Sequence, residues 1–322
     1  MFYGRNKLIN DIQEAIFKGT KNQIAIYGQK RSGKSSLLNQ IKGKLESDES
    51  HSVICGKFNL QGLPADELNP IRWILESIVL SLLQGIRKCG IKKLESVLAS
   101  LSIDMDKIAK DKIYDSIISK FFSEESDAFK SLGSFIGHII TMDEFQNLHF
   151  VIFIDEFTYL YQLIKKDKTV NEDFMRRWIA LIEMPGINLQ AIVAAQDTLP
   201  HFMNESYASN CFNKFSKEPL SYLNKEEALQ LIKNPIKDVT FHNHSDELIY
   251  GYTSGSAFFT QIFCTKLVDY LNSEKSNVVG KEEVEIVAER LCTGTHRLEE
   301  STFECLTKEA DGSDFNEDDN KR

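Results

Sequence analysis

Apolar positions along the chain follow two rhythms, and each predicts a different element. Leu8, Ile9, Ile12, Ile16 and Phe17 recur at helical spacing, which predicts a helix over about residues 7–18 that ends at Gly19. Ile24 to Tyr27 is a short apolar run, read as a strand, and an amphipathic stretch from Ser36 to Leu45 follows it. Val53 to Phe58 alternates as a second strand. Helical rhythm then dominates through 70–89, 94–101, 108–122 and 128–140, with Ile71, Ile74, Leu75, Ile78, Val79 and Leu82 marking one stripe. Such stripes are core material, and no chemistry is assigned to them. About 85 residues between two strands far exceed a simple crossover, so 63–147 reads as a helical insertion.

Phe150 to Ile154 is unbroken and rich in β-branched residues, as expected of a strand buried on both faces. Leu189 to Ala195 is of the same kind. Phe215 to Leu220 reads as an edge strand, where Pro219 is tolerated because an edge need not donate every N–H. From Asn224 onward the pattern is helical. Asn224 and Glu227 form a capping box ahead of Ala228, Leu229 and Ile232. Ser245 is expected to cap a second helix, Phe258 to Leu271 forms a third, and 281–291 a fourth. Leu298 to Leu306 reads as one more helix, and the chain from Glu309 to Arg322 turns polar and acidic.

Composition narrows the class. The 322 residues are 42% hydrophobic, enough for one large core or two moderate ones. An excess of 47 acidic over 38 basic residues gives a formal charge of −9, which disfavours nucleic acid as the main partner unless a local basic patch overrides it. Cys55, Cys89, Cys211, Cys264, Cys292 and Cys305 stand far apart with no Cys-x-x-Cys pair, as expected of reduced thiols and not of a zinc site or disulfide framework. Met1 to Arg5 has no signal-peptide character. The greasiest stretch, Ile71 to Ile86, carries Arg72, Glu76, Ser77 and Gln84, too polar to span a bilayer. The expectation is a soluble, cytoplasmic protein.

The chemistry concentrates in Gly28-Gln29-Lys30-Arg31-Ser32-Gly33-Lys34-Ser35, set between a strand and a helix as a Walker A motif requires. Its glycines let successive N–H groups curl around phosphate oxygens, and the helix N-terminus adds partial positive charge. The expected phosphate-binding set is Gly28 to Gly33, Lys34, Ser35 and Ser36, with Lys34 on the outer phosphates and the Ser35 hydroxyl on Mg²⁺. Asp155 and Glu156 close the 150–154 strand, where ligands of open α/β sheets bind. Asp155 fits a water-mediated Mg²⁺ ligand, and Glu156 the general base for an attacking water. Gln196, at the tip of the 189–195 strand, is a candidate for the terminal phosphate, since an amide can donate where Asp197 would repel; a plain turn is the alternative. Phe2-Tyr3-Gly4-Arg5 allows two readings: aromatics that cover the core, or a base-side box with Arg5 near the phosphates.

Five segments in order and spacing carry a family resemblance: Phe2 to Arg5, Gly28 to Ser35, Val151 to Glu156, Lys217 to Leu223 with Glu226-Glu227-Ala228, and Gly251 to Ser256. Over nearly its full length the chain resembles the STAND-type ATPases of the AAA+-related P-loop class. The resemblance implies an α/β P-loop NTPase of the ASCE type, a five-stranded parallel sheet with flanking helices over 1–222. A helical lid at 223–293 would follow, and 294–322 would open a truncated winged-helix module or form an acidic tail. It also implies ATP and Mg²⁺, places Tyr3, Gly4 and Arg5 near the adenine or ribose, and suggests a protein effector or oligomerisation partner. The absence of the Asn-Lys-x-Asp motif agrees with adenine. Two departures stand out. Gly255-Ser256-Ala257 replaces the Gly-x-Pro of many such lids, and 209–215 offers only Lys214 where relatives place an arginine finger, with Arg176 or Arg177 as substitutes. The functions to weigh are a slowly hydrolysing ATP switch, a DNA-associated AAA+ ATPase of the origin-recognition or loader kind, and a non-hydrolysing nucleotide-binding module. A small-molecule kinase fits least, because adjacent Asp155-Glu156 suits water activation.

Overall fold

The computed structural model describes residues 3–18, 23–48, 53–64, 66–104, 109–123, 125–145, 148–160, 168–184, 186–199, 214–236, 238–293, 297–299 and 301–303. Phe2, Gly19, 209–213 and the acidic tail from Glu309, on which expectations were placed above, lie outside these residues.

Described residues form two compact units. One comprises 12–27 and 38–218 and carries the sheet. Its strands are β1 (Gln23–Tyr27), β2 (Val53–Asn59), β3 (His149–Asp155), β4 (Leu189–Ala195) and β5 (Phe215–Pro219, whose last residue falls in the other unit). They lie in the order β2-β3-β4-β1-β5, as a five-stranded sheet of P-loop type. The β1–β4, β2–β3 and β3–β4 pairs are parallel. Register follows from burial: β3 and β4 are apolar on both faces, so each must be covered on both sides and neither can be an edge. The pairings Tyr27↔Ala195, Val193↔Ile154 and Asn59↔Asp155 bring the carboxyl ends of four strands to one edge of the sheet. Gln23 ties the middle together, its side-chain oxygen accepting the Ala191 N–H while its own N–H donates to Lys214 O at 2.8 Å.

Helices α1 (Asn6–Phe17) and α2 (Lys34–Glu46) each begin in one unit and end in the other. In the sheet unit, α3 (Pro70–Cys89) starts where Asn69 Oδ1 accepts the Arg72 N–H at 3.1 Å, with Pro70 at the first helical position, and its apolar stripe packs on β2. It is followed by α4 (Ile91–Ser100), α5 (Ile113–Phe121) and α6 (Ala128–Ile140). These helices bury Leu82, Ile117, Phe135 and Ile136 in one core with Phe150 and Ile152. One more helix, α7 (Lys168–Ile182), escapes the sequence reading, although Phe174, Trp178, Leu181 and Ile182 stand at helical spacing and are all buried.

The other unit comprises 1–11, 28–37 and 219–322. It holds α8 (Lys225–Lys233), α9 (Ser245–Thr253), α10 (Ala257–Glu274) and α11 (Lys281–Cys292), with a small parallel pair β6 (Thr240–Phe241) and β7 (Val278–Val279). Ile232, Ile249, Phe263, Leu267 and Val284 are its centre. The capping box of α8 is complete in both directions, with Glu227 N on Asn224 Oδ1 at 2.9 Å and Asn224 N on Glu227 Oε2 at 3.3 Å. Ser245 does not cap α9. His244 takes that place in a left-handed conformation, and the Ser245 hydroxyl donates to Val279 O at 2.7 Å, joining α9 to the strand pair. Between α9 and α10 the chain turns at Gly255, φ +76°, where a Cβ would stand 2.1 Å from Leu223 O. Glycine is required there on both counts.

Candidate functional site

The loop 28–35 is held from within. Lys34 is buried, and its ammonium donates back to Gly28 O at 2.8 Å and Gln29 O at 2.7 Å. Ser32 N donates to Gln29 O at 3.2 Å, Gly33 stands at φ +91°, and Leu37 N on Gly33 O at 2.9 Å opens the first turn of α2. Gly28 is needed for close approach: a Cβ there would lie 2.4 Å from Leu220 O. The side chains of Lys30, Arg31, Ser35 and Ser36 are exposed. The Ser32 hydroxyl is buried and without a hydrogen-bond partner among the described residues, a polar atom left for something the loop would enclose.

Arg5 reaches the same loop. Its Nη2 donates to Ser32 O and to Ser221 O, both at 2.9 Å, and its backbone N–H donates to Glu227 Oε1 at 2.6 Å. Burial lowers the Arg5 pKa, and the Glu227 charge pulls it back up. Gly4 and Arg5 are both left-handed, at φ +77° and +60°. Tyr3 packs against the small apolar cluster of Leu223, Ala228 and Leu231, beside Tyr250 and Ala257. Gln29 Oε1 accepts the Tyr222 hydroxyl at 3.0 Å. Thus Tyr3, Gly4, Arg5 and the loop, scattered in sequence, come together with the start of α8. Arg31 turns elsewhere: its Nη1 donates to Thr302 O at 2.7 Å and its guanidinium lies 4.3 Å from the Phe258 ring centre. Phe303 stacks on Phe259 beside it. The chain near 302 carries no sequence signal for this contact, since a backbone carbonyl is the acceptor.

At the carboxyl edge of the sheet, Asp155 is 4% exposed. Its Oδ1 accepts the Glu156 N–H at 3.1 Å, and its Oδ2 is 3.6 Å from Lys57 Nζ. Glu156 is half-buried and left-handed, φ +54°, a conformation a glutamate adopts only where its surroundings impose it. Gln196, also half-buried, donates its backbone N–H to Thr158 Oγ1 at 2.9 Å. Two residues later the Thr198 hydroxyl is buried without a partner among the described residues, a residue to which the sequence assigned no role. Lys214, the one cation at the finger position, pairs with Glu183 at 3.0 Å; of the two stand-ins, Arg177 pairs with Asp127 and lies 4.7 Å from the Phe129 ring centre, and Arg176 is exposed. That pairing with Arg177 holds the Asp127 carboxyl below its usual range.

Ser35 in one unit offers a hydroxyl oxygen and Asp155 in the other a carboxylate oxygen, each of the hard type that Mg²⁺ takes. Among the described residues no group of three or more His, Cys, Asp or Glu gathers as a metal cage, and no helix is long and apolar enough to cross a membrane.

Residues 2–258 match the family described as the ATPase domain predominantly from Archaea. Comparison with curated proteins gives no match. Among solved structures, the Aeropyrum pernix ORC2 protein in its ADPNP–ADP complexes is 12% identical with a TM-score of 0.55, covering 92% of this chain and 69% of that one. The Aeropyrum pernix ORC1 protein in complex with DNA is 9% identical with a TM-score of 0.52, covering 90% and 66%. The Thermotoga maritima RuvB Holliday junction branch migration motor is 13% identical with a TM-score of 0.50, covering 93% and 74%. The chain therefore spans 66% to 74% of these three. At such identities the likeness is one of fold alone, that of a P-loop NTPase.

Proposed function

The chain belongs to the family of ATPase domains that come predominantly from Archaea, and from that membership we propose that it is a Mg²⁺-dependent ATP switch of the STAND type, binding ATP and hydrolysing it slowly. The observation that carries the reading is Arg5, whose one guanidinium nitrogen holds both Ser32 O of the loop and Ser221 O of the segment leading to α8. A loop that rearranges around phosphates would pull on that segment. Lys34 would exchange Gly28 O and Gln29 O for phosphate oxygens, a trade between acceptors that leaves no buried ammonium unpaired. Gly28 to Ser36 would cradle the phosphates, and Tyr3 to Arg5 would flank the base or ribose.

In the catalytic part of the reading, Ser35 and Asp155 would hold Mg²⁺, which when bound offsets the charge that spreads over the phosphate oxygens. Glu156 would orient the attacking water and take its proton, and Gln196 would donate to the terminal phosphate. The switch part is that loss of this phosphate changes the loop, and Arg5 and Glu227 pass the change to the helical lobe, biasing contact with an effector or a second copy. Calorimetric titration with ATP, ADP and GTP tests the binding step. ATP and ADP should bind in a Mg²⁺-dependent manner and GTP at least about tenfold more weakly; absence of binding by all three refutes the reading.

A second reading, a DNA-associated ATPase, draws on the fold likeness to the ORC1 protein that was solved with DNA. The formal charge of −9 weighs against it. Tight DNA binding that falls steeply with salt would favour it over the switch.

A further inference from the structure

Lys57 is the one charged residue in β2, and the sheet register fixes where it points. Asn59 pairs with Asp155 and Lys57 with Phe153, so Lys57 lies diagonally behind Asp155 on the same face. Its side chain is 22% exposed and its ammonium is engaged twice. It donates to Asn39 Oδ1 on α2 at 2.6 Å and stands 3.6 Å from Asp155 Oδ2. Among the described residues no other cation is ion-paired with Asp155, although that side chain is only 6% exposed.

Lysines on edge strands commonly guard against edge-to-edge pairing, and β2 is an edge. A guard points its charge to solvent. The Lys57 ammonium keeps its solvent contact but also faces an amide on α2 and a carboxylate on β3. The buried charge of the pair is the Asp155 carboxylate, which is costly there without a counter-charge beside it.

We propose that Lys57 is a built-in counter-cation for Asp155 that a divalent metal must displace, so that it sets the metal affinity of the nucleotide complex. The inference rests on the reading of Asp155 as a metal-side residue. With no metal bound, the ammonium holds the carboxylate aimed and compensated. A divalent ion entering on the nucleotide would compete with Lys57 for Asp155 Oδ2, and Lys57 would keep its bond to Asn39. Like charge close to the metal weakens metal binding, which makes release with spent nucleotide easier. Lys57 is thus a positioning residue, acting on nucleotide only through Asp155.

The test titrates Mg²⁺ against a fluorescent ADP analogue bound to the wild type, Lys57→Met and Lys57→Arg, with melting temperatures recorded with and without Mg²⁺. Lys57→Met should lower the Mg²⁺ concentration for half-maximal analogue binding about tenfold, the order expected for removing a unit charge beside a divalent ion in a partly exposed site. It should also melt lower than wild type without metal, with a larger gain on adding Mg²⁺ and analogue. Lys57→Arg should restore wild-type metal dependence. Unchanged or weakened metal affinity in Lys57→Met overturns the proposal while leaving nucleotide binding intact. Failure of the wild type to bind the analogue at any Mg²⁺ concentration overturns the nucleotide reading itself, and this proposal with it.

Discussion

Arg5 gives its backbone N–H to the carboxylate of Glu227, 222 residues further along the chain, at 2.6 Å. Because the same carboxylate completes the capping box of α8, one side chain fixes both the entry to the helix and the turn at Gly4-Arg5. Glu227→Ala removes a charged acceptor and half of a cap together. It should lower stability by about 2 kcal/mol, read as a shifted urea midpoint. Glu227→Gln, which keeps the geometry and loses the charge, should lose less than half of that. Equal midpoints for wild type and Glu227→Ala would show that the bond does not hold the turn.

Gly28→Ala forces a methyl to within 2.4 Å of Leu220 O, a backbone atom that cannot swing aside. The loop must shift, at a cost of about 2 kcal/mol. ATP affinity should fall at least about tenfold, because amides placed for phosphate move with it. Normal affinity by calorimetry would mean that the loop does not bind in this conformation.

Two thiols report on the two units, Cys55 buried in the sheet unit and Cys264 partly buried against the core of the helical one. Burial, the largest cause for both, raises the pKa of Cys55 and of Cys264 from 9.0 to about 12. The folded protein therefore holds protons that the unfolded chain releases between these values, and stability must fall as pH rises from about 9 toward 12. Below the lower value both states are protonated and these groups contribute no slope. At pH 8 a thiol reagent should leave Cys55 unmodified until denaturant is added and should reach the partly buried Cys264 sooner; rapid modification of Cys55 in the folded protein would contradict its burial.

Much of this fold is readable from residues that do two things at once. The Phe150–Ile154 run is long enough for a strand and too apolar for an edge, so its central place follows directly. Asn224 and Glu227 announce α8 because the box needs those side chains at that spacing. Ser245 misleads because serine is a good cap wherever it falls, and here a carbonyl of β7 competes for its hydroxyl. Helix α7 is missed although Phe174, Trp178 and Ile182 mark it. At the site, the glycine and lysine pattern locates the loop. The Arg5–Ser221, Arg31–Thr302 and Lys57–Asp155 contacts are invisible beforehand, since two end on backbone carbonyls and the third depends on strand register.

Hydrolysis is the central claim, and Glu156 is where it can be lost without losing binding. The direct measurement is single-turnover phosphate release from bound ATP by the wild type and by Glu156→Gln, with ATP affinity determined for both. Loss of a general base should slow release at least about a hundredfold while affinity stays within about threefold. Equal phosphate release from the two proteins would contradict the assignment.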